Sequence, residues 1–428
     1  MRRRSRVGNR IACRRPVEIG KILLFAGCWL AAPLPAADDG LVGRWWEGRH
    51  LTGEWLGARD TIGARGIKLG GSYKLAYFGV VDSQNGSGGF YGQDIVFNAN
   101  ADFARLLGWG GIDGLEGFVE GRWRENRPDV GNPNELVGAG SMFNPSPWWS
   151  GTGWRMVQFG LAYKSPAIFG VDDFLTLKGG WLRPQREFLD QPLSKLFLNN
   201  AINSAKGVGG NVPFSSSFST WGGTAQVKAA AWQYTKLGLF MAYPEAIFSG
   251  NHGLMFAGYA PDPAANRLYF LGETGFTPEV GASKLDGRYA FGAYVGGASA
   301  ADGGNRYGFY WQADQMVWRE QGDEGLRAFS LVTVAPSYNN RYPFYTQGGL
   351  AYRGLVPGRG RDTLYAGFGM GTYSDADGTY TVVIEGGYRF RLNGWSSFSP
   401  YGQYLSRPDG TSEVANAVVM GFQVGVDF

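Results

Sequence analysis

Cysteine is nearly absent from this chain. Its 428 residues include two, Cys13 and Cys28, and both fall in an N-terminal stretch with the form of a leader. The rest therefore has no disulfide framework, no thiolate metal site and no cysteine nucleophile. Histidine is as scarce: His50 and His252 are the whole supply. Neither has a second histidine near it, which leaves no metal cluster in view and little basis for a serine hydrolase, whose general base one of them would have to be. Past the leader no apolar run approaches the roughly 20 residues of a membrane helix. Helical periodicity is thin as well. Its best instance is Leu51 to Ala64, where Leu51, Trp55, Leu56 and Ile62 predict a short amphipathic helix started by Thr52. Gly367, Gly369 and Gly371 alternate with other residues and make no phosphate loop. Asp375 to Gly378 lacks the closing glutamate of a calcium loop and reads as a hairpin turn. No cofactor and no metal is expected.

What is present begins with the leader. Met1 to Lys21 carries eight basic residues against the single acid Glu18, Ile22 to Leu34 is apolar, and Pro35, Ala36 and Ala37 are small residues before Asp38. This is the pattern of a secretory signal peptide over 1–37. Phe25-Ala26-Gly27-Cys28 misses a lipid-acylation box by one residue, and the apolar run continues through Trp29 and Leu30, so cleavage is expected and not lipidation. Of 40 basic and 36 acidic residues, the part beyond the leader keeps 32 and 35. The apparent basicity belongs to targeting, and nothing indicates nucleic acid.

Beyond Gly66 the chain is written in period two. The second run sets Ile95, Phe97, Ala99, Ala101 and Phe103 against Asp94, Asn98, Asn100 and Asp102; the third sets Leu115, Val119 and Trp123 against Glu116, Glu120, Arg122 and Arg124. Near the end, Val382, Ile384, Tyr388 and Phe390 oppose Thr381, Glu385, Arg389 and Arg391. A face with acids and arginines is no core face, so the apolar face must meet the greasy environment, be it protein or lipid. The last run, Val418 to Phe428, places Val418, Met420, Phe422, Val424, Val426 and Phe428 on one parity and stops on the aromatic. It resembles the assembly signal of bacterial outer-membrane barrels.

Such runs predict strands at 66–81, 91–105, 113–125, 154–165, 174–184, 222–233, 235–245, 266–277, 286–298, 305–319, 325–336, 344–357, 361–373, 378–392, 396–407 and 416–428. They number sixteen, an even count with lengths suited to tilted membrane spans. The connections agree. Those after odd strands include the long Asn126–Gly153, Pro184–Trp221 and Ile247–Asn266, while Gln321–Glu324, Pro357–Gly360 and Asn393–Trp395, after even strands, are short. Ser374–Asp377 is a short exception. The expected fold is thus all-β: a transmembrane antiparallel β-barrel of 16 strands over 66–428, preceded by a periplasmic segment, 38–65, with the short helix. Pro184–Trp221, the longest loop, is the expected constriction. Trp109, Trp154, Tyr163, Trp181, Tyr243, Tyr373 and Trp395, near predicted strand ends, suggest an interfacial girdle.

Specific motifs then carry a resemblance. Leu51-Thr52-Gly53-Glu54-Trp55-Leu56-Gly57-Ala58-Arg59 is followed by Ala64-Arg65-Gly66-Ile67, Leu182-Arg183-Pro184 with Glu187-Phe188, Leu196-Phe197-Leu198-Asn199-Asn200 and Gly272-Glu273-Thr274-Gly275-Phe276. Later come Tyr307-Gly308-Phe309-Tyr310, Ala313-Asp314-Gln315-Met316, Tyr352-Arg353-Gly354-Leu355-Val356-Pro357-Gly358-Arg359 and Gln403-Tyr404. In this order they resemble the carbohydrate-selective porins of Gram-negative outer membranes, the OprB type. The resemblance implies a sixteen-stranded, mostly monomeric pore that admits monosaccharides such as glucose, lies in outer-membrane lipid, and is inserted by the barrel-assembly machinery through strand 418–428. The chain departs from that pattern in the Ser- and Gly-rich Gly207–Ser219 and in Asn251–Asn266.

Pore-lining and sugar-contact residues are expected at Glu116, Glu120, Arg122 and Arg124 on the third strand and at Arg183, Arg186 and Glu187 entering the long loop. Trp181 or Phe188 would supply a stacking ring. Three other readings compete. A general or anion-preferring porin would use inward Lys68, Lys74, Lys178, Lys236, Arg288, Arg389 and Arg391. An outer-membrane enzyme is disfavoured by the scarcity of histidine, and a soluble periplasmic sandwich would be separated from a barrel by heat-modifiable extraction from the outer-membrane fraction. No energy-coupling domain is visible, so transport is expected to run downhill.

Overall fold

Alternating strands of this kind leave one row of apolar and one row of polar side chains, and a sheet made of them is stable only if it closes and gives each row its own solvent. The computed structural model describes residues 40–111, 113–126, 131–138, 143–146, 152–212, 219–242, 267–296, 305–374, 380–411 and 413–428. The leader 1–37, Tyr243, His252, the segment 251–266 and the turn at Asp375–Gly378 lie outside the described residues.

The strands are β1 (Ile67–Asp82), β2 (Gly88–Asp102), β3 (Leu115–Asn126), β4 (Gly153–Lys164), β5 (Leu175–Leu182), β6 (Thr220–Ala230), β7 (Gln233–Ala242), β8 (Arg267–Phe276), a two-residue β9 (Glu279–Val280), β10 (Leu285–Gly296), β11 (Arg306–Arg319), β12 (Gly325–Val334), β13 (Phe344–Arg353), β14 (Thr363–Thr372), β15 (Thr381–Arg391), β16 (Ser396–Ser406) and β17 (Ala417–Asp427). Apart from β9, which only extends the edge of β10, each strand pairs antiparallel with its chain neighbours, and β1 also pairs with β17. The sixteen long strands form a closed barrel, and all sixteen expected strands are found within a few residues of their predicted bounds.

Closure runs from Ser72 opposite Asp427 to Asp82 opposite Val418. The terminal residue is part of it. The amide of Phe428 donates to the carbonyl of Gly71 at 3.0 Å, and its ring lies where a Gly71 Cβ would stand 2.4 Å from it and 5.6 Å from the Phe97 ring. Only glycine at 71 leaves that seat open. The outward parity is apolar and solvent-facing, as at Leu69, Phe97, Leu161, Leu237, Phe270, Phe309, Ile384 and Met420. Leucine and phenylalanine exposed all around a closed sheet are suited to lipid.

The N-terminal segment departs from expectation. Helix begins only at Ala58 and runs to Ala64, behind a single 3₁₀ turn at Trp55–Gly57, and another helix covers Leu41–Glu47. Trp55, Leu56 and Gly57 all have positive φ, which an α-helix cannot accommodate. Thr52 caps nothing; its hydroxyl accepts from Arg59, whose guanidinium also reaches the carbonyl of Leu69 on β1. The girdle is likewise partial. Trp109 and Trp154 are exposed, whereas Trp181, Tyr373 and Trp395 are buried. Trp395 packs on Trp45, 5.1 Å away, and its indole donates to the Trp45 carbonyl.

Candidate functional site

The polar parity of the strands faces the inside of the barrel, and the chain between β5 and β6 folds onto that inner wall. Pro184 opens a one-turn helix, Pro184–Phe188, in the first position where its missing N–H costs nothing. Phe188 then packs edge-on against Phe240 of β7, and its carbonyl accepts from Gln312 of β11 at 2.6 Å. Gln191 donates to the carbonyl of Ser330 at 2.7 Å and accepts from Gln347 at 3.1 Å. Phe197 enters between Phe329 and Tyr365, in space left by Gly367, where a Cβ would come within 2.7 Å of the ring. The next turn is held by a carboxylate. Glu385 of β15 accepts the amides of Leu198 at 2.8 Å and Asn199 at 2.7 Å, and Gln403 adds a third donor at 3.1 Å.

The side-chain oxygen of Asn199 in turn caps the helix Asn200–Asn203 by accepting the Ala201 amide. Farther on, Asn211 donates to Tyr294 on β10 and to the Tyr342 carbonyl, and accepts the Tyr342 amide. Apart from Ser330, which offers only its main-chain carbonyl, these wall groups belong to the inner parity or to loops at its rim. The segment from Arg183 to Asn211 therefore spans the interior from β5 to the β15–β16 wall.

Charged groups are gathered where this segment starts. Glu120 of β3 pairs with Arg186 in a short contact and has Arg183 at 4.0 Å. On the neighbouring strand Asp94, 4% exposed, receives both Arg122 and Arg124, each with Nε at 3.2 Å. Glu187 lies between Lys178 of β5 at 2.5 Å and Lys236 of β7 at 3.3 Å. Burial pushes the Glu187 carboxyl up, but Lys236 and then Lys178 outweigh it and hold it below its usual 4.5. Arg186 goes the other way: burial lowers it, yet Glu120 more than compensates and the guanidinium is held more firmly protonated.

Six of the expected residues, Glu120, Arg122, Arg124, Arg183, Arg186 and Glu187, thus stand around the root of the inner segment. Glu116 does not join them. It pairs with Lys164 at 3.3 Å, on the opposite side of Glu120 along the strand from Arg122 and Arg124. The stacking rings are a correction. Trp181 and Phe188 are 1% and 0% exposed, so neither offers an open face. Trp181 stands opposite Phe159 and Trp221 in the ladder, on the outward pleat, with the Trp221 ring edge-on at 5.6 Å; Phe188 is spent on docking the segment. The sequence reading missed Asp94 as the shared partner of two arginines and Glu385 as the anchor. Both were visible as polar members of the inward parity, but the arginines on Asp94 are 28 and 30 residues away in sequence and the amides on Glu385 more than 180.

Sequence and fold comparisons agree with this geometry. The model of the OprB carbohydrate-selective porin family matches residues 88–428. Porin B of Pseudomonas aeruginosa is 23% identical over a gapped alignment of 436 positions that covers 89% of this chain and 91% of that protein. A high-pH structure of Pseudomonas putida OprB superimposes with a TM-score of 0.77 at 22% identity, over 89% of this chain and 99% of that one. A low-pH structure of the same protein gives 0.60 at 18% identity, with the same coverage.

Proposed function

We propose, from the premise that the chain belongs to the OprB family of carbohydrate-selective porins, that it is a passive outer-membrane channel for monosaccharides such as glucose, working as a monomer. The observation that carries this reading is the segment Arg183–Asn211, which occupies part of the barrel interior and sets Arg183 and Arg186 against Glu120 beside the Asp94–Arg122–Arg124 cluster. Forks of guanidinium and carboxylate bind hydroxyl groups without requiring a charged solute. Because each is already engaged by a protein partner, a sugar exchanges one hydrogen bond for another and is held weakly, as passage requires. In this reading the loop is the constriction, and Glu120, Arg122, Arg124, Arg183, Arg186 and Glu187 line it. Residues 1–37 direct export, 38–65 lie on the periplasmic side, and the strand ending at Phe428 is what the assembly machinery reads. Nothing in the proposed cycle couples transport to an energy source.

Liposome swelling with the folded chain tests the proposal. Glucose entry faster than that of a disaccharide and of a zwitterionic amino acid of similar size, and altered by Arg122→Ala, supports it. Entry ordered by size alone would make the chain a general porin. A second reading, an anion-preferring pore, is favoured by one observation: Arg122 and Arg124 lean on a single carboxylate. The reversal potential in a salt gradient decides whether that excess governs permeation.

A further inference from the structure

The wall from β15 through β17 and β1 to β4 carries a charge pattern that neutral sugars leave unused. One rung of the ladder joins Arg391, Ser397, Gly425, Lys74, Asp94 and Arg124 in register across β15, β16, β17, β1, β2 and β3. Residues opposed in this way share a face, and this one is the inner face. Arg122 and Arg155 are opposed on it as a like-charged pair, an arrangement that costs stability in a sheet. Arg389 lies one inward position from Arg391 and is electrostatically coupled to Lys74 across the barrel seam.

Among the described residues, the carboxylates paired with these six cations are Asp94, shared by Arg122 and Arg124 at 3.2 Å, and Asp427, 3.7 Å from Arg391; Glu385 and Glu120 share the inner face but are engaged by the loop, the first by the amides of Leu198 and Asn199 and the second by Arg183 and Arg186. On the other side of the interior the cations are met more nearly one for one. There Glu187 meets Lys178 and Lys236, Glu273 meets Arg288, and Asp314 and Asp286 meet Arg327. The positive excess is larger on the first wall.

We infer that this wall receives the carboxylate of an acidic monosaccharide, a uronate or an aldonate, so that the preferred solutes are sugars bearing one negative charge. The inference rests on the sugar-channel reading above and narrows it. Guanidinium groups match a carboxylate with paired N–H donors, and an excess of arginine along a narrow pore selects for anions. Two residues from Arg122 on the same face of β3, about 7 Å along the strand, Glu120 with Arg183 and Arg186 presents the mixed donors and acceptors that hydroxyl groups need. That interval matches the length of one sugar ring. A bare anion uses only the first set of groups, a neutral hexose only the second, and a sugar acid uses both.

Single channels of the full-length protein isolated from outer membranes, in planar bilayers, provide the test. D-galacturonate, glucose and acetate are added at equal ionic strength, and the concentration at which each interrupts the ion current is compared. Galacturonate is expected to act at a concentration on the order of tenfold below glucose and below acetate, an advantage that shrinks as salt rises. Lys74→Gln with Arg389→Gln should remove most of that advantage and leave the glucose response in place; the salt titration of the unaltered chain separates the same outcomes without any variant. Equal action of galacturonate and glucose overturns the inference and leaves the sugar channel standing. Equal action of galacturonate and acetate overturns it in favour of a plain anion pore. No interruption by either sugar overturns the sugar-channel reading itself.

Discussion

Glu385 is the residue whose loss should change the pore most while sparing the barrel. It is fully buried on β15, and its charge is met by N–H donors: the amides of Leu198 and Asn199 at 2.8 and 2.7 Å and the Gln403 side chain at 3.1 Å. A hydrogen bond to a charged group contributes about 1.5–3 kcal/mol, so Glu385→Ala removes about 3–6 kcal/mol of anchoring from the two backbone amides alone. Part of this is offset, because the alanine variant no longer desolvates a carboxylate, and the lower end of the range is the better figure. About 3 kcal/mol is a shift on the order of a hundredfold in the ratio of docked to released segment. Glu385→Gln should lie between the two: its carbonyl oxygen still accepts one amide while its NH₂ group confronts the other.

The neighbouring contacts determine what is released. Asn199 also donates to Gln403 and to the Phe143 carbonyl, and the Asn200 amide donates to the Asn144 carbonyl. Glu385 therefore holds the place where two long loops meet. Measured in planar bilayers, single-channel conductance is expected to rise in the order wild type, Gln, Ala, and liposome swelling should show disaccharide entry approaching that of glucose. The barrel ladder does not depend on this side chain, so heat-modifiable migration should persist. An alanine variant with a folded barrel and with wild-type conductance and discrimination would refute the claim that the segment is the constriction.

Other outcomes follow from single contacts. Gly369→Ala puts a Cβ 2.6 Å from the Ala201 carbonyl oxygen and 2.8 Å from its Cβ; overpacking of about 1–3 kcal/mol should displace the segment and raise conductance, whereas at Gly386 the nearest atom is 3.6 Å away and alanine should be tolerated. Glu187, held below 4.5 by Lys236 and Lys178 despite its burial, contributes anchoring that is complete above that value and is lost as pH falls below it through the lowered docked value. The part of the conductance that depends on Glu187 should accordingly be level from about pH 8 to 5 and change only in stronger acid; a Glu187→Gln chain with the same response to strong acid as the unaltered chain would contradict this assignment. Trp181→Phe should leave glucose discrimination unchanged, since its ring is enclosed against Trp221, and should cost about 1 kcal/mol in thermal unfolding. Phe428→Ala empties the seat over Gly71 and should cost about 1 kcal/mol of seam stability for a half-buried ring, with a larger loss of assembled barrel in outer-membrane fractions.

How much could be read in advance depended on how local each signal was. The sixteen strands were legible because the outward parity must satisfy one requirement, apolar contact, at every second residue, and Ile384 or Met420 reports it without reference to any partner. The turn side was legible from lengths alone. The helix start was misplaced because Thr52 looks like a cap, and only the positive φ of Trp55, Leu56 and Gly57 and the reach of Arg59 to Leu69 show that the chain is committed elsewhere. The same argument explains the stacking rings: Trp181 and Phe188 carry the right chemistry, but whether a ring is open depends on Phe159, Trp221 and Phe240, chosen by the register of other strands. The inner segment is the extreme case. Asn199, Gln191 and Asn211 look like ordinary loop residues, yet their partners Gln403, Ser330 and Tyr342 lie more than 100 residues onward. A barrel wall is specified by a repeat within each strand, while what occupies its interior is specified by pairs of residues that meet only after the barrel has closed.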